Sequence, residues 1–215
     1  MGPREPAGRQ RCRSGQGRLV LILGGARSGK SGYAQNWAES TGRPVTYLAT
    51  ATAGDADMAR RIARHHQDRP AKWTTVEEPR HVGQVLLELA GSPGVVIVDC
   101  LTLLASNALL SAPPGDEAGA VAALEAETAD LVTAALAGRS AGSLVLVVSN
   151  EVGLGVVATS RLGRLYRDAL GRANQALAAA FDDVHFMVAG LPLIVKGEAG
   201  PNPPPAKGER NQSES

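Results

Sequence analysis

The sequence is poor in the features that mark several protein classes. It holds two cysteines in 215 residues, Cys12 and Cys100, and no C-x-x-C pair. A disulfide-stapled scaffold and a cysteine-based zinc site are thereby excluded. Both cysteines read as free thiols of a reducing, cytoplasmic compartment. Aromatic residues make up only 3%, so a core has to be assembled mainly from Leu, Val, Ile and Ala. No run of about 18 apolar residues occurs, so no transmembrane segment is expected. The formal charge is +1, with 22 basic against 21 acidic residues. That balance gives no general case for nucleic-acid or membrane partners. Signature motifs of signalling GTPases (N-K-x-D), protein kinases (H-R-D, D-F-G) and α/β-hydrolases (G-x-S-x-G) are also missing.

What the chain does contain is Gly24-Gly25-Ala26-Arg27-Ser28-Gly29-Lys30-Ser31, a full match to the phosphate-binding P-loop G-x-x-x-x-G-K-[ST]. In such a loop the glycines let backbone N–H groups surround phosphate oxygens. Lys30 supplies a positive charge to the β- and γ-phosphates, and Ser31 offers a hydroxyl to Mg²⁺. The helix that follows directs its positive end at the anion. The context agrees: the apolar run Arg18 to Leu23 precedes the loop, and a helical pattern from Ser31 to Ser40 follows it.

Apolar runs and helical patterns alternate along the rest of the chain. Strands are expected at Val45–Ala49, Trp73–Val76, Val95–Val98, Leu144–Val148 and Val184–Val188, with an edge strand at Leu191–Val195. Helices are expected at Asp55–Gln67, Arg80–Ala90, Leu101–Leu110, Ala118–Ala137 and Arg161–Phe181. Continuous rather than alternating apolar strands argue a mostly parallel sheet covered on both faces, an α/β fold with a single domain. Residues 1–17 read as a flexible extension, 18–196 as the folded domain, and 197–215, rich in Pro, Gly and charge, as a disordered tail.

Ligands in such sheets sit at the carboxyl ends of the strands. Asp99 ends one strand and fits the pattern of a carboxylate that holds Mg²⁺, against the simpler alternative of a helix cap for Leu101. His65 and His66 lie near the end of an expected amphipathic helix among Arg60, Arg61, Arg64 and Arg69. The spacing supports two readings equally. One is a packed helix end. The other is an imidazole that attacks phosphorus and carries a nucleotidyl group. Ser149 to Gly155 reads as a glycine loop after a strand. Arg161, Arg164, Arg167 and Arg172 read either as a phosphate or subunit contact or as a solvated face.

Several separate segments converge on one family. Leu21–Ser31 (LILGGARSGKS), Tyr47–Thr50 (YLAT), Met58–His65 (MARRIARH), Arg69–Trp73 (RPAKW), Asp99–Asn107 (DCLTLLASN) and Ser149–Gly155 (SNEVGLG) occur in the right order and spacing. Further matches fall in Arg161–Gln175 and Val188–Pro192. The chain resembles the bifunctional adenosylcobinamide kinase / adenosylcobinamide-phosphate guanylyltransferases of cobalamin synthesis, from about residue 19 to 196. The resemblance implies a RecA-like P-loop domain and a homotrimer. It implies that adenosylcobinamide is phosphorylated with a nucleoside triphosphate, GTP or ATP. GMP is then passed from GTP, by way of a histidine, to the phosphate, giving adenosylcobinamide-GDP and pyrophosphate. The carrier histidine maps to His65, and catalysis is shared with Lys30. Nucleotide contacts map to Gly24 through Ser31, to Thr50, Ala51 and Thr52, to His66, Gln67, Asp68 and Arg69, and to Glu77 and Asp99. Ser31 and Asp99 are the metal-holding pair.

Overall fold

The computed structural model describes residues 17–52, 69–89 and 92–201. Among them seven strands form one sheet: β1 (Arg18–Gly24), β2 (Val45–Ala49), β3 (Thr74–Glu77), β4 (Val95–Asp99), β5 (Leu144–Val148), β6 (Asp183–Val188) and β7 (Leu191–Lys196). The helices are α1 (Lys30–Ser40), α2 (Val82–Leu89), α3 (Leu101–Leu109), α4 (Glu117–Ser140) and α5 (Arg161–Ala180). The sheet order is β3-β2-β4-β5-β1-β6-β7. All neighbours pair in parallel except β6 and β7. The α/β class and the parallel sheet agree with the sequence reading. The expected helix Asp55–Gln67 lies outside the described residues.

Strand periodicity explains the two-sided core. Successive side chains point to opposite faces, and here both faces are covered. In β1, Leu19 and Leu21 join one cluster while Val20 and Ile22 join the other. β4 divides in the same way, Val96 and Val98 against Val95 and Ile97. All five residues of β5 are buried. Each such side chain contributes about 1.5–3 kcal/mol when removed from water, so a run apolar at every position is what a central strand requires. One face packs under α2, α3, α4 and α5. The other packs under α1, whose Tyr33, Ala34, Trp37 and Ala38 are buried.

Small boundary differences have local causes. β3 begins one residue later than expected, because the Trp73 side chain is buried in the α1-side cluster and the Trp73 backbone N–H donates to Pro70 O at 3.0 Å, closing a turn. α2 begins at Val82 rather than Arg80. His81 takes φ 50°, and the N–H groups of Arg80 and His81 go to Glu78 Oε1 (3.0 Å) and Glu127 Oε1 (3.1 Å) instead of a helix ladder. α4 extends to both sides of its expected span and is capped by Asp116, which accepts from Gly119 N at 2.8 Å.

β7 is the antiparallel edge, and Pro192 stands opposite Met187 in it, a position that tolerates a missing N–H. After β7, residues of the expected tail are held in place. Glu198 N donates to Asp183 Oδ1 at 2.7 Å, and Glu198 O meets His185 Nε2 at 2.9 Å. Gly200 lies so close to Tyr33 and Trp37 that a Cβ there would collide with both. Among the described residues, no helix is long and apolar enough to cross a membrane.

Candidate nucleotide site

The loop between β1 and α1 depends on backbone conformations that favour glycine. Gly24 has φ 149° and Gly29 φ 95°. A Cβ at Gly24 would lie 2.6 Å from the Met187 carbonyl oxygen. Gly25, Ala26 and Arg27 are exposed at the crest, and Arg27 itself takes φ 59°. No side chain caps α1, which leaves its first N–H groups for an anion. Ser28 Oγ is buried without a hydrogen-bond partner among the described residues. An unpaired buried hydroxyl is costly and marks where a ligand oxygen is missing.

Lys30 is buried, and its Nζ donates to Gly25 O at 2.6 Å, across the concave side of the loop. Burial lowers its pKa, opposed by Cys100 and Asp99 at the end of β4. Ser31, second in α1, is half-buried. Two neighbours brace the loop. Glu151 N, after β5, donates to Gly24 O at 3.1 Å, and Gly190 N, in the β6–β7 turn, donates to Ser28 O at 3.0 Å.

Asp99 does not cap α3, whose N-cap position is Cys100 with no side-chain bond. Its carboxylate instead accepts a hydrogen bond from Tyr47. Burial and the facing Asp99 push the Tyr47 phenol well up, so it stays protonated as the donor. Arg69 lies over the Tyr47 ring, 3.6 Å from its centroid, and Arg69 Nη1 donates to Thr75 Oγ1 at 3.3 Å. Arg69 Nε is buried and unpartnered among the described residues. Thr50 is buried behind Asp99. Its Oγ1 accepts from Cys100 N at 2.8 Å and donates to Cys100 O at 2.7 Å. Ala51 is half-buried and Thr52 exposed. Glu77 is exposed at the end of β3.

The candidates from the P-loop, Thr50 and Asp99 therefore share the carboxyl edge of the sheet, while Arg69 lies over the sheet face at Tyr47. His65, His66, Gln67 and Asp68 lie outside the described residues. A cavity of about 520 Å³ lies elsewhere, between α4 and α5, and is lined by apolar side chains such as Val121, Leu124 and Ala173. It touches none of these groups.

Residues 20–195 match the family described as "Cobinamide kinase / cobinamide phosphate guanyltransferase". The chain belongs to that family. It is 46% identical over 178 residues to the bifunctional adenosylcobalamin biosynthesis protein CobP of Pseudomonas aeruginosa, covering 83% of this chain and 97% of that one. It is 36% identical over 181 residues to the CobU protein of Escherichia coli, covering 83% and 99%. Among solved structures, the RadB recombinase superposes with a TM-score of 0.51 at 14% identity, over 88% of this chain and 85% of that one. That likeness supports the RecA-like P-loop fold.

In this member of the cobinamide kinase / guanyltransferase family, a set of polar residues outside the candidate list orders the site. Asn107 Nδ2 donates to Thr50 O (3.0 Å) and Pro79 O (2.9 Å), joining the loops after β2 and β3. Asn150 N donates to Thr102 Oγ1 at 2.9 Å. Asn174, buried in α5, bridges Ser149 Oγ (2.7 Å) and Asn150 O (3.1 Å). Polar residues inside apolar helical patterns were the available signal, but their partners lie 24 to 57 positions away. The basic residues of α5 are taken up locally. Arg161 pairs with Glu117, Arg164 donates to Ala158 O and Thr159 O, Arg167 pairs with Asp168, and Arg172 faces Glu125 at 3.8 Å.

Proposed function

We propose that this chain phosphorylates adenosylcobinamide with GTP or ATP and then converts the phosphate to adenosylcobinamide-GDP with GTP. The observation that carries the proposal is a complete phosphate loop holding a buried Lys30, at the sheet edge where Asp99 ends β4, inside a chain that matches the family over residues 20–195. In the first reaction the aminopropanol hydroxyl oxygen attacks the γ-phosphorus. The bond to the β-phosphate oxygen breaks, a nucleoside diphosphate leaves, and the hydroxyl proton passes to solvent. Lys30 would turn from Gly25 O to the β- and γ-phosphate oxygens and neutralise their developing charge.

In the second reaction a neutral His65 nitrogen attacks the α-phosphorus of GTP, forming an N–P bond as the α–β bridge breaks and pyrophosphate leaves. The phosphate oxygen of adenosylcobinamide-phosphate then attacks the same phosphorus and releases the imidazole. Thr50, Ala51, Thr52, His66, Gln67, Asp68, Arg69 and Glu77 would bound the nucleotide. The Ser31 hydroxyl and the Asp99 carboxylate form an all-oxygen donor set that suits Mg²⁺ completed by phosphate oxygens. When bound, the ion supplies charge neutralisation at the leaving phosphates. The family resemblance supports a homotrimer. Nucleotide substrates and free thiols support a cytoplasmic enzyme.

The test is incubation with α-labelled GTP alone. A protein–GMP adduct that is labile in acid and stable in alkali is expected, lost in His65→Ala and kept in His66→Ala. If the wild-type protein forms none, the nucleotidyl half of the proposal falls.

A further inference from the structure

We propose that the apolar rim formed by the loop after β5 and the adjoining ends of α3 and α5 is the surface on which the corrinoid macrocycle of the substrate lies. The inference rests on the cobinamide reading above and assigns the part of the site that receives the acceptor.

The direction of approach follows from sheet order. The phosphate loop follows β1, and the Asp99 carboxylate ends β4, with only β5 between them. Lys30 opens the helix after that loop and is buried, and Glu151 N after β5 bonds Gly24 O of the same loop. The reacting end of the triphosphate is thus drawn toward β4 and β5, and the acceptor hydroxyl has to arrive there. The loop that lies there is the one after β5, tied to the phosphate loop through Glu151 N and Gly24 O at 3.1 Å.

That loop presents its apolar residues outward. Leu154 is 81% exposed, Val156 97% and Val157 60%. The Glu151 carboxylate accepts from the N–H groups of Gly153 and Leu154, which props the turn open. Leu110 and Leu162 are both more than half exposed as well. Both also line a cavity of about 320 Å³ between α3 and α5, together with Leu109, Tyr166, Ser106 and Ser160. The Tyr166 hydroxyl donates to Thr102 O at 3.1 Å, three residues on from Asp99, so the cavity adjoins the reaction edge. Three exposed apolar residues close together on one loop, with two more on the rim of the α3–α5 cavity, are a denser grouping than scattered single residues and mark a binding surface.

The chemistry of the acceptor matches. A corrinoid is a broad, largely apolar disc rimmed with amides. Ser160 places a hydroxyl among the leucines to meet amide groups, and Ser106, whose proton goes to Thr102 O at 3.4 Å, offers its oxygen as an acceptor. Ser160 Oγ accepts from Gly163 N at 3.0 Å and keeps its own proton to donate. The reach also agrees: Glu151 to Leu154 spans at most about 10 Å, and a tether of seven bonds between hydroxyl and macrocycle extends about 9 Å. The other exposed apolar strip, Leu191, Leu193, Ile194 and Val195 on β7, lies on the far side of β1 from Asp99 and is turned away from the acceptor.

The test is the double variant Leu154→Asp, Val156→Asp, whose exposed positions leave the core intact. It is assayed with adenosylcobinamide and, separately, for adduct formation from GTP alone. The KM for adenosylcobinamide is expected to rise about tenfold or more, while adduct formation stays within about twofold of wild type. An unchanged KM overturns the inference. So does loss of adduct formation in step with the KM change, because the loop would then serve the nucleotide. A change in sedimentation mass also overturns it, by making the surface a contact between copies of the chain. If instead the wild-type protein shows neither adduct nor cobinamide-dependent turnover, the underlying reading has failed rather than the placement of the acceptor.

Discussion

The two faces of the sheet are built from different materials. The face under α2 to α5 is aliphatic: leucine, valine and alanine, with Phe181 as its single fully buried aromatic. The face under α1 holds both tryptophans and two of the three tyrosines of the chain. Aliphatic groups contribute area and are tolerant of exchange at constant volume. Aromatic groups end in polar atoms that seek partners, and here the outcomes differ: Tyr47 donates to the site carboxylate Asp99, Tyr33 meets His185 Nδ1 at 3.1 Å, and the indole Nε1 of Trp73 is buried without a partner among the described residues. In a chain this poor in aromatics, their concentration on the α1 face suits a division of labour. One face supplies buried area alone, and the other also carries the Tyr47 bond that orients Asp99.

The sharpest way to break this comparison is Leu131→Ala on the aliphatic face. Leu131 is fully buried, so the expected loss is about 2–5 kcal/mol of unfolding free energy in urea titration, with the KM for GTP unchanged. A shift in that KM as large as the stability loss would end the division. On the other face, Tyr47→Phe removes one hydrogen bond and little volume. Its unfolding free energy is expected to fall by only about 1 kcal/mol, while kcat falls about tenfold and the gain in fluorescent-GDP affinity on adding Mg²⁺ shrinks. Equal nucleotide affinity with and without the ion in both proteins would remove Asp99 from the metal role.

A third measurement uses pH. His185 is fully buried, with its pKa lowered chiefly by burial and further by Arg18, against the opposing effects of the Glu198 carbonyl and Asp183. Nε2–H donates to Glu198 O, so Nδ1 accepts from Tyr33. The unfolded chain takes up a proton near pH 6.5, and the folded chain resists it. Stability is therefore complete above about pH 6.5 and declines as pH falls below it. Urea midpoints between pH 7.5 and 5.5 should show that decline, and His185→Gln should flatten it. The smallest effect concerns Cys100, whose thiol is pushed up to about 11 by burial and then by Asp99. In a Cys12→Ser background, Ellman's reagent should label it slowly in the folded protein and fast in urea.

The elements were legible because their signals are local. Val95 to Asp99 and Leu144 to Val148 show buried strands by composition alone, and the phosphate loop shows itself by spacing. The site was legible only as residue identities. That Asp99 meets Tyr47 rather than capping α3 depends on the register of β2 with β4, which places Ala49 beside Asp99. Glu127 is the clearest gap. In an alanine-rich helix it reads as a surface residue, yet it is buried and pairs with Arg80 at 2.8 Å. Its partner lies 47 positions away, beyond any helical period.

The short segment after β7 has a consequence for the chain as a whole. Arg18, at the start of β1, pairs with Asp183 and reaches Glu198 Oε2 at 3.4 Å. The first and last parts of the domain thus meet at the amino-terminal end of the sheet, opposite the reaction edge, and its path is nearly a closed ring. A circular permutant that joins Pro201 to Gly17 through a short linker and opens at the exposed Gly115 turn should refold with its phosphate loop intact. The domain's order of elements is a matter of where the ring is cut.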